Sequence, residues 1–263
     1  AKELTDLSKE SMKARLNADR ILDFVDVINK NAEELEGDLV QASGAIKELA
    51  DKIGPYIEEI KGTIAEKYSQ LEMLNCAVCP SVIIKEINRR YDGQAIICAD
   101  ASVSSGWVGA LGLSRGNKRN IITPRGTGSL GFGFPATLAA KIASPHTPVF
   151  GIGGDGGFAM SVHEIETACR LGLDVHYFVL NNGALGLLES HLEAHGARNV
   201  LDKRHPTNWE MIAKGFGAQS ITLNTNSQVV EYFNNLPKGP AIVQVMANKD
   251  VVTPDFETIT NMY

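Results

Sequence analysis

From Pro80 onward, short apolar runs alternate with segments in which apolar residues recur at helical spacing. Alternation of this kind indicates strands and helices that follow one another along the chain. The predicted strands are 95–99, 120–123, 149–152, 175–180 and 241–246, and the predicted helices are about 81–90, 134–143, 162–171 and 208–215. Such a series forms a parallel sheet with helices on both faces. The sequence therefore predicts an α/β fold.

The helix predicted over 162–171 has a recognisable signal at each end. Ser161 and Glu164 have the spacing of a capping box, in which the serine and the glutamate each bond a backbone N–H group of the first turn. Gly172 is suited to the position just after a helix, where glycine adopts a left-handed conformation at little cost. We therefore expect the helix to begin after Ser161 and to stop at Gly172.

The first 75 residues have a different composition. They are rich in Lys, Glu, Leu, Ile and Ala, poor in Pro and Gly, and their apolar residues recur at helical spacing. Asn31 and Glu34 have capping-box spacing, so either a second helix begins there or the two lie on one continuous helix. We expect residues 1–79 to form a helical segment that packs on a neighbour, and residues 80–263 to form the α/β domain.

Groups of unusual residues follow three of the predicted strands, at 100–105, 153–157 and 181–186. Ligands of parallel α/β sheets bind at the carboxyl ends of the strands. Asp155 lies between glycines directly after one strand, and Asn182 follows the next strand along the chain. Neighbouring parallel strands would bring both to one edge, where a carboxylate and an amide oxygen suit Mg²⁺ or Ca²⁺. The pattern therefore predicts a metal that also binds diphosphate oxygens.

Gly154-Asp155-Gly156, followed after about two dozen residues by Asn181-Asn182, resembles the signature of thiamine-diphosphate (ThDP)-dependent enzymes. The resemblance extends from about Pro80 to Pro254. It is strongest to the C-terminal diphosphate-binding domain of the acetolactate synthase and pyruvate decarboxylase branch. Three further segments resemble that branch, namely 126–135, 182–186 and 208–218.

The resemblance implies how the cofactor and its metal are held. Asp155 and Asn182 would ligate Mg²⁺ by their side chains, and Ala184 by its backbone carbonyl. Gly128 would accept the 4′-amino group of ThDP through its carbonyl, and Leu130 would hold the cofactor bent so that this group reaches the thiazolium C2. The other implied cofactor contacts are Ser102, Ser104, Ser129, Gly154, Gly156, Gly157, Leu185 and Gly186; many relatives have serine in place of Gly157.

His191 is the third candidate catalytic residue, beside Gly128 and Leu130. It follows the Asn-Asn loop on a predicted helix, where typical acetolactate synthases have tryptophan. Together with His195, four residues further on, it lies either on the wall of the substrate pocket or on a solvated helix face.

A ThDP enzyme also needs a glutamate against N1′ of the pyrimidine ring. In the resembled family a separate pyrimidine-binding domain supplies it, and residues 1–75 are too short and too helical to be that domain. We therefore expect one subunit or half of a ThDP-dependent 2-oxo acid decarboxylase, carboligase or C–C lyase. A partner chain would complete a hetero-oligomer with homo-oligomer contacts, acting on a small 2-oxo acid or acyl substrate; a fragment of a longer enzyme remains the other possibility.

Two alternative functions stay open at this point. The chain could be a non-catalytic, regulatory ThDP-binding homologue with residues 1–75 as an interaction module. Cys76 and Cys79 prompt a second alternative, the beta subunit of a 2-oxo acid:ferredoxin oxidoreductase, although a cluster site needs further cysteines at suitable spacing.

Composition limits the partners and the compartment. The net charge of −6 disfavours a nucleic-acid partner. No apolar run reaches the roughly 18 residues of a membrane span, and the charged N-terminus has no signal-peptide pattern. The four cysteines have no structural-zinc spacing, so we expect reduced thiols and a cytoplasmic protein.

Overall fold

A computed structural model describes residues 24–56, 59, 62, 78–115, 119–197 and 207–247, with only the backbone of 190, 191, 193 and 194. The chain divides into two compact units, Ala1–Thr63 and Ile64–Tyr263. In the first unit, residues 24–56 form one helix, α1. Asn31 and Glu34 therefore lie on a continuous helix and do not open a second one.

The second unit contains six strands in one sheet. They are β1 (Ile96–Ala99), β2 (Ile121–Ile122), β3 (Val149–Gly154), β4 (His176–Asn181), β5 (Gln219–Leu223) and β6 (Ala241–Met246). Every neighbouring pair is parallel, and the order across the sheet is β2-β1-β3-β4-β6-β5. The predicted parallel α/β fold is confirmed.

Eight helices accompany the strands in the described part of this unit. They are α2 (Pro80–Tyr91), α3 (Val103–Leu111), α4 (Gly133–Ala143), α5 (Asp155–Ser161), α6 (Glu164–Arg170), α7 (Gly186–Ala194), α8 (Trp209–Gly215) and α9 (Asn226–Asn234). A parallel bridge joins Val78 to Ala247, and the Val78 N–H donates to the Met246 carbonyl at 3.1 Å. Within the described residues no helix has the length and apolar character that a membrane span requires.

The sheet is buried on both faces because successive residues of a strand point to opposite sides. Phe178 packs on one side with apolar residues of α2, α3 and α9. Tyr177, next to it in β4, packs on the other side with apolar residues of α4, α5, α6 and α8. This two-sided burial explains why the central strands have continuous apolar runs.

The site-bearing edge of the sheet follows from the strand order. β1 and β3 are neighbours, although the chain passes through β2 between them, so the connections from these two strands diverge. Ligands bind above the carboxyl ends of strands at such a switch point. Asp100 follows β1 and Asp155 follows β3, so two carboxylates lie at this edge.

The capping-box prediction for Ser161 and Glu164 is wrong. Ser161 is the last residue of α5, a helix that begins at Asp155 directly after β3, and His163 precedes α6. The backbone thus passes from strand to helix without a loop. The end of the helix is as predicted, because Gly172 has a φ of 57° after α6.

Candidate active site at the carboxyl edge of the sheet

A cavity of about 460 Å³ opens at the carboxyl ends of β1, β3 and β4. Its wall contains most of the residues for which the sequence predicted cofactor or metal contacts. These are Ser102, Ser104, Gly128, Leu130, Gly154, Asp155, Gly156, Gly157, Asn182, Ala184, Leu185 and Gly186. The fold thus brings together segments that are far apart in the sequence.

Asp155 and Asn182 enter this cavity from adjacent strands. Gly154 of β3 pairs with Leu180 of β4, so the residues that follow the two strands leave the sheet side by side. Asp155 is only 4% exposed, and its Oδ1 accepts the Gly156 N–H at 2.9 Å. The Oδ1 of Asn182 accepts the Ala184 N–H at 3.0 Å, which fixes the turn after β4. A carboxylate, an amide oxygen and a backbone carbonyl fit the oxygen ligands that Mg²⁺ takes in proteins.

The glycine-rich segment 126–133 forms another part of the wall. Gly128 has a φ of 65°, a left-handed conformation that favours glycine. Leu130 lines the cavity with a side chain that is 44% exposed. Ser129 is not in the wall; its hydroxyl lies 2.9 Å from that of Thr127. The segment therefore brings two of its three predicted residues to the cavity.

The start of α3 contributes two serines. The Ser104 hydroxyl donates to the carbonyls of Asp100 and Ala101, both at 3.0 Å, so it already has backbone partners. Ser102 has a φ of 75° and a ψ of −150°, a combination that is essentially restricted to glycine. A strained residue in the wall of a cavity is a typical feature of a ligand site.

Asp100 also lies in this wall, although no sequence motif predicted a role for it. Burial raises the pKa of its carboxyl group, while N–H groups of Ala101 and of the backbone at 131–133 act in the opposite direction. Its position directly after β1 matches that of Asp155 after β3, and this parallel was the available sequence signal. The carboxylate occupies the space beside Gly157.

The histidines differ in their surroundings. The backbone of His191 lies in α7, but its side chain is outside the described part, so its substrate role stays a prediction. His195 follows the end of α7 and is exposed. His176 is buried in β4, and its Nδ1 lies 2.7 Å from the Tyr232 hydroxyl. Its burial lowers the pKa of the imidazole to about 4.

Three cysteines lie in the described part of the chain. Cys79 and Cys98 are buried, and Cys169 is half-buried. The Sγ of Cys79 lies 3.1 Å from the Ser81 hydroxyl. Cys76 lies outside the described residues, so the Cys76–Cys79 pair contributes no assigned site.

Comparisons with known proteins agree with this geometry. A family profile described as "Thiamine pyrophosphate enzyme, C-terminal TPP binding domain" matches residues 100–245. The acetolactate synthase large subunit of Lactococcus lactis is 30% identical over 183 residues, which cover 68% of this chain and 31% of that protein. The acetolactate synthase isozyme 1 large subunit of Escherichia coli is 32% identical over 169 residues, which cover 62% of this chain and 30% of that protein.

A solved structure shares the fold. The thiamine diphosphate-dependent 4-hydroxybenzoylformate decarboxylase of Rhodococcus jostii superposes with a TM-score of 0.60 at 22% identity, over 66% of this chain and 33% of the other. The chain thus spans about a third of the length of these proteins. The residues matched by the family profile include Asp155, Asn182 and most of the cavity wall. This chain belongs to the thiamine pyrophosphate enzyme family, whose C-terminal TPP-binding domain it contains, and its cofactor is thiamine diphosphate.

Proposed function

We propose that this chain is the cofactor-holding part of a ThDP-dependent 2-oxo acid decarboxylase or carboligase and binds the diphosphate through Mg²⁺. The observation that carries the proposal is the convergence of Asp155 and Asn182 from adjacent parallel strands into one cavity. Oxygen donors of this kind match Mg²⁺, which keeps few protein ligands and shares its other positions with phosphates.

The charge of the cavity supports a metal-mediated contact. Its described wall contains the carboxylates Asp100 and Asp155, and no lysine, arginine or histidine is among these wall residues. A diphosphate brings further negative charge, so a divalent cation is needed between it and Asp155. The proposed metal ligands are the side chains of Asp155 and Asn182 and the Ala184 carbonyl.

When bound, ThDP supplies a nucleophilic carbon and an electron sink for breaking or forming a C–C bond beside a carbonyl. The residues of this chain orient the cofactor and exclude water. Gly128 would accept a hydrogen bond from the cofactor's amino group, and Leu130 would provide the apolar support beneath its rings. Met160, Leu187 and Leu188 extend the apolar wall of the same cavity, next to which a small acyl group could bind.

The proposed active enzyme needs a further domain. The relatives from Lactococcus lactis and Escherichia coli are named as acetolactate synthase large subunits, and this chain matches about a third of each. We propose that the activating glutamate comes from a pyrimidine-binding domain, either on a partner subunit or elsewhere in a longer polypeptide. The substrate is proposed to be a small 2-oxo acid.

Calorimetry with variant proteins tests the metal assignment. Titration of ThDP in the presence of Mg²⁺ should give binding to the unaltered chain and none to Asp155→Ala, because the carboxylate that anchors the cation is lost. Glu231→Ala, which removes an exposed carboxylate on α9, is the control and should bind normally. Unchanged affinity of Asp155→Ala would reject the metal assignment.

A reconstitution experiment tests the catalytic half of the proposal. The chain is co-expressed with a pyrimidine-binding domain from an acetolactate synthase large subunit, and CO₂ release from pyruvate is measured. Turnover by the pair but not by the chain alone supports the proposal. Binding of ThDP without turnover, with any such domain, would instead identify a non-catalytic homologue.

A further inference from the structure

Asp100 joins three parts of the cavity wall that are separate in the sequence. It follows β1, it is 1% exposed, and its own N–H donates to the Ile152 carbonyl of β3 at 2.9 Å. Its backbone is therefore fixed to the centre of the sheet. Its carboxylate faces the glycine-rich segment on one side and the first turn of α5 on the other.

On the first side, Asp100 caps α4. The Gly131 N–H donates to both carboxylate oxygens, at 3.1 Å and 3.2 Å, and the neighbouring N–H groups of Phe132 and Gly133 also stabilise the charged form. Phe132 stands at the N-cap position of α4 but makes no side-chain cap bond. The first N–H groups of a helix lack partners within the helix and favour a negative charge. Asp100 supplies that charge from a distant part of the chain.

On the second side, the Asp100 carboxylate packs against Gly157 in the first turn of α5. A Cβ atom added to Gly157 would overlap Oδ2 of Asp100 and lie 2.9 Å from its Cγ. A Cβ added to Gly131 would lie 2.9 Å from the Cβ of Met160 on the same helix. The carboxylate therefore fills the space that any side chain at position 157 would occupy.

We propose that Asp100 is a positioning residue that fixes the glycine-rich segment, with Gly128 and Leu130, against the turn that carries Asp155. Loss of Asp100 should loosen the glycine-rich segment, whether or not a ligand is bound. It should also weaken ThDP binding; this second consequence rests on the proposed function, in which the segment and the Asp155 turn hold opposite ends of the cofactor. These two consequences are tested separately.

Trypsin cleavage without cofactor tests the first consequence. Arg125 is exposed and immediately precedes the glycine-rich segment. Asp100→Ala should raise the rate of cleavage after Arg125 by about 5-fold or more, since local opening controls proteolysis. Asp100→Asn keeps the shape and one acceptor oxygen, so its rate should lie between those of the unaltered chain and Asp100→Ala. A cleavage rate in both variants equal to that of the unaltered chain would overturn the proposal.

A double-mutant cycle in ThDP affinity, measured by calorimetry with Mg²⁺, tests the second consequence. Gly157→Ala in the unaltered chain should weaken binding by about 10-fold or more, because the new Cβ displaces the carboxylate. In the Asp100→Ala background, where that space is open, the same change should cost less than about 3-fold. Gly215→Ala, with no atom near its added Cβ, is the control and should leave affinity unchanged.

The outcomes are distinguishable. If the fold-losses of ThDP affinity caused by Asp100→Ala and Gly157→Ala simply multiply in the double variant, the two residues act independently. That result would overturn the positioning role. A failure of the unaltered chain to bind ThDP with Mg²⁺ would overturn the proposed function instead. In that case the trypsin experiment alone decides whether Asp100 fixes the segment.

Discussion

Ser102 holds a conformation, φ 75° and ψ −150°, that a side chain makes unfavourable. Residues in this region cost about 1–3 kcal/mol and persist only where surrounding contacts impose them. Here the Ser102 carbonyl accepts the Ser105 hydroxyl at 2.8 Å, which helps to fix the start of α3. The strain therefore lies in the cavity wall, next to Asp100.

Replacing Ser102 by glycine should release this strain. We expect Ser102→Gly to raise the free energy of unfolding by about 1 kcal/mol, measured by urea denaturation. Ser102→Ala, which also removes the hydroxyl but keeps a Cβ, should give no such gain. The two variants should bind ThDP equally weakly if the hydroxyl contacts the diphosphate. A loss of stability in Ser102→Gly would contradict the strain argument.

His176 should make the free energy of unfolding depend on pH. Its pKa of about 4 lies below the ordinary 6.5, so the folded chain keeps it neutral while the unfolded chain binds a proton. Above pH 6.5 this residue should not make the free energy of unfolding depend on pH. As the pH falls from 6.5 to about 4, its protonation in the unfolded chain should lower the free energy of unfolding by about 3 kcal/mol. The measurement is urea unfolding at several pH values.

The control for His176 must keep the packing around it. His176→Phe combined with Tyr232→Phe removes the titrating group and its hydrogen-bond partner, while a ring remains stacked on Phe150. The double variant should lose less stability between about pH 7 and pH 4.5 than the unaltered chain does. Equal losses would show that other groups cause the acid sensitivity.

Local sequence accounts for part of the site at the residue scale. Asp155 and Asn182 were predicted to leave neighbouring strands together, and the structure has both in one cavity wall. Their signal was local, since each follows an apolar run. The contacts of Asp100 with Gly131 and Gly157 depend on how distant segments pack, and no local pattern encodes them.

At the scale of elements, burial decides which ones the sequence reveals. β3, β4 and β6 are buried on both faces and have the predicted continuous apolar runs. β5 and α9 were not predicted. β5 is an edge strand with two exposed residues, and α9 buries only three of its nine residues, so little of either lies in the core. The short α3 follows the strained Ser102, a conformation that no propensity rule anticipates.

A side-chain cap stabilises the start of α8. The Asn208 side chain accepts the Met211 N–H at 2.8 Å, and Trp209 then packs edge-on against Phe158 of α5 at 5.4 Å. Asn208→Ala should cost about 1 kcal/mol in unfolding free energy, because a helix N–H loses its partner. Thermal denaturation measures the effect. Asn208→Ser retains a capping oxygen and should cost less; equal costs would mean that the cap is not the cause.

For the whole molecule, cofactor binding should raise the free energy of unfolding. A ligand at about 100 times its Kd that binds only the folded chain adds about 2.7 kcal/mol. We expect ThDP to raise Tm when Mg²⁺ is present, and EDTA to abolish the rise because the diphosphate loses its link to Asp155. Asp155→Ala should show no rise in either condition. An equal rise with EDTA would mean that the diphosphate is held without a metal.

The bridge between Val78 and Ala247 has a further consequence. Residues 78 and 247, which bound the described part of the second unit, thus lie side by side, and Pro80 and Ala247 both line the cavity. A module whose ends touch can be spliced into a loop of a host protein, or circularly permuted, without stretching the chain. We therefore expect residues 78–247 to tolerate insertion into a loop of a host protein, with both junctions close to the candidate active site.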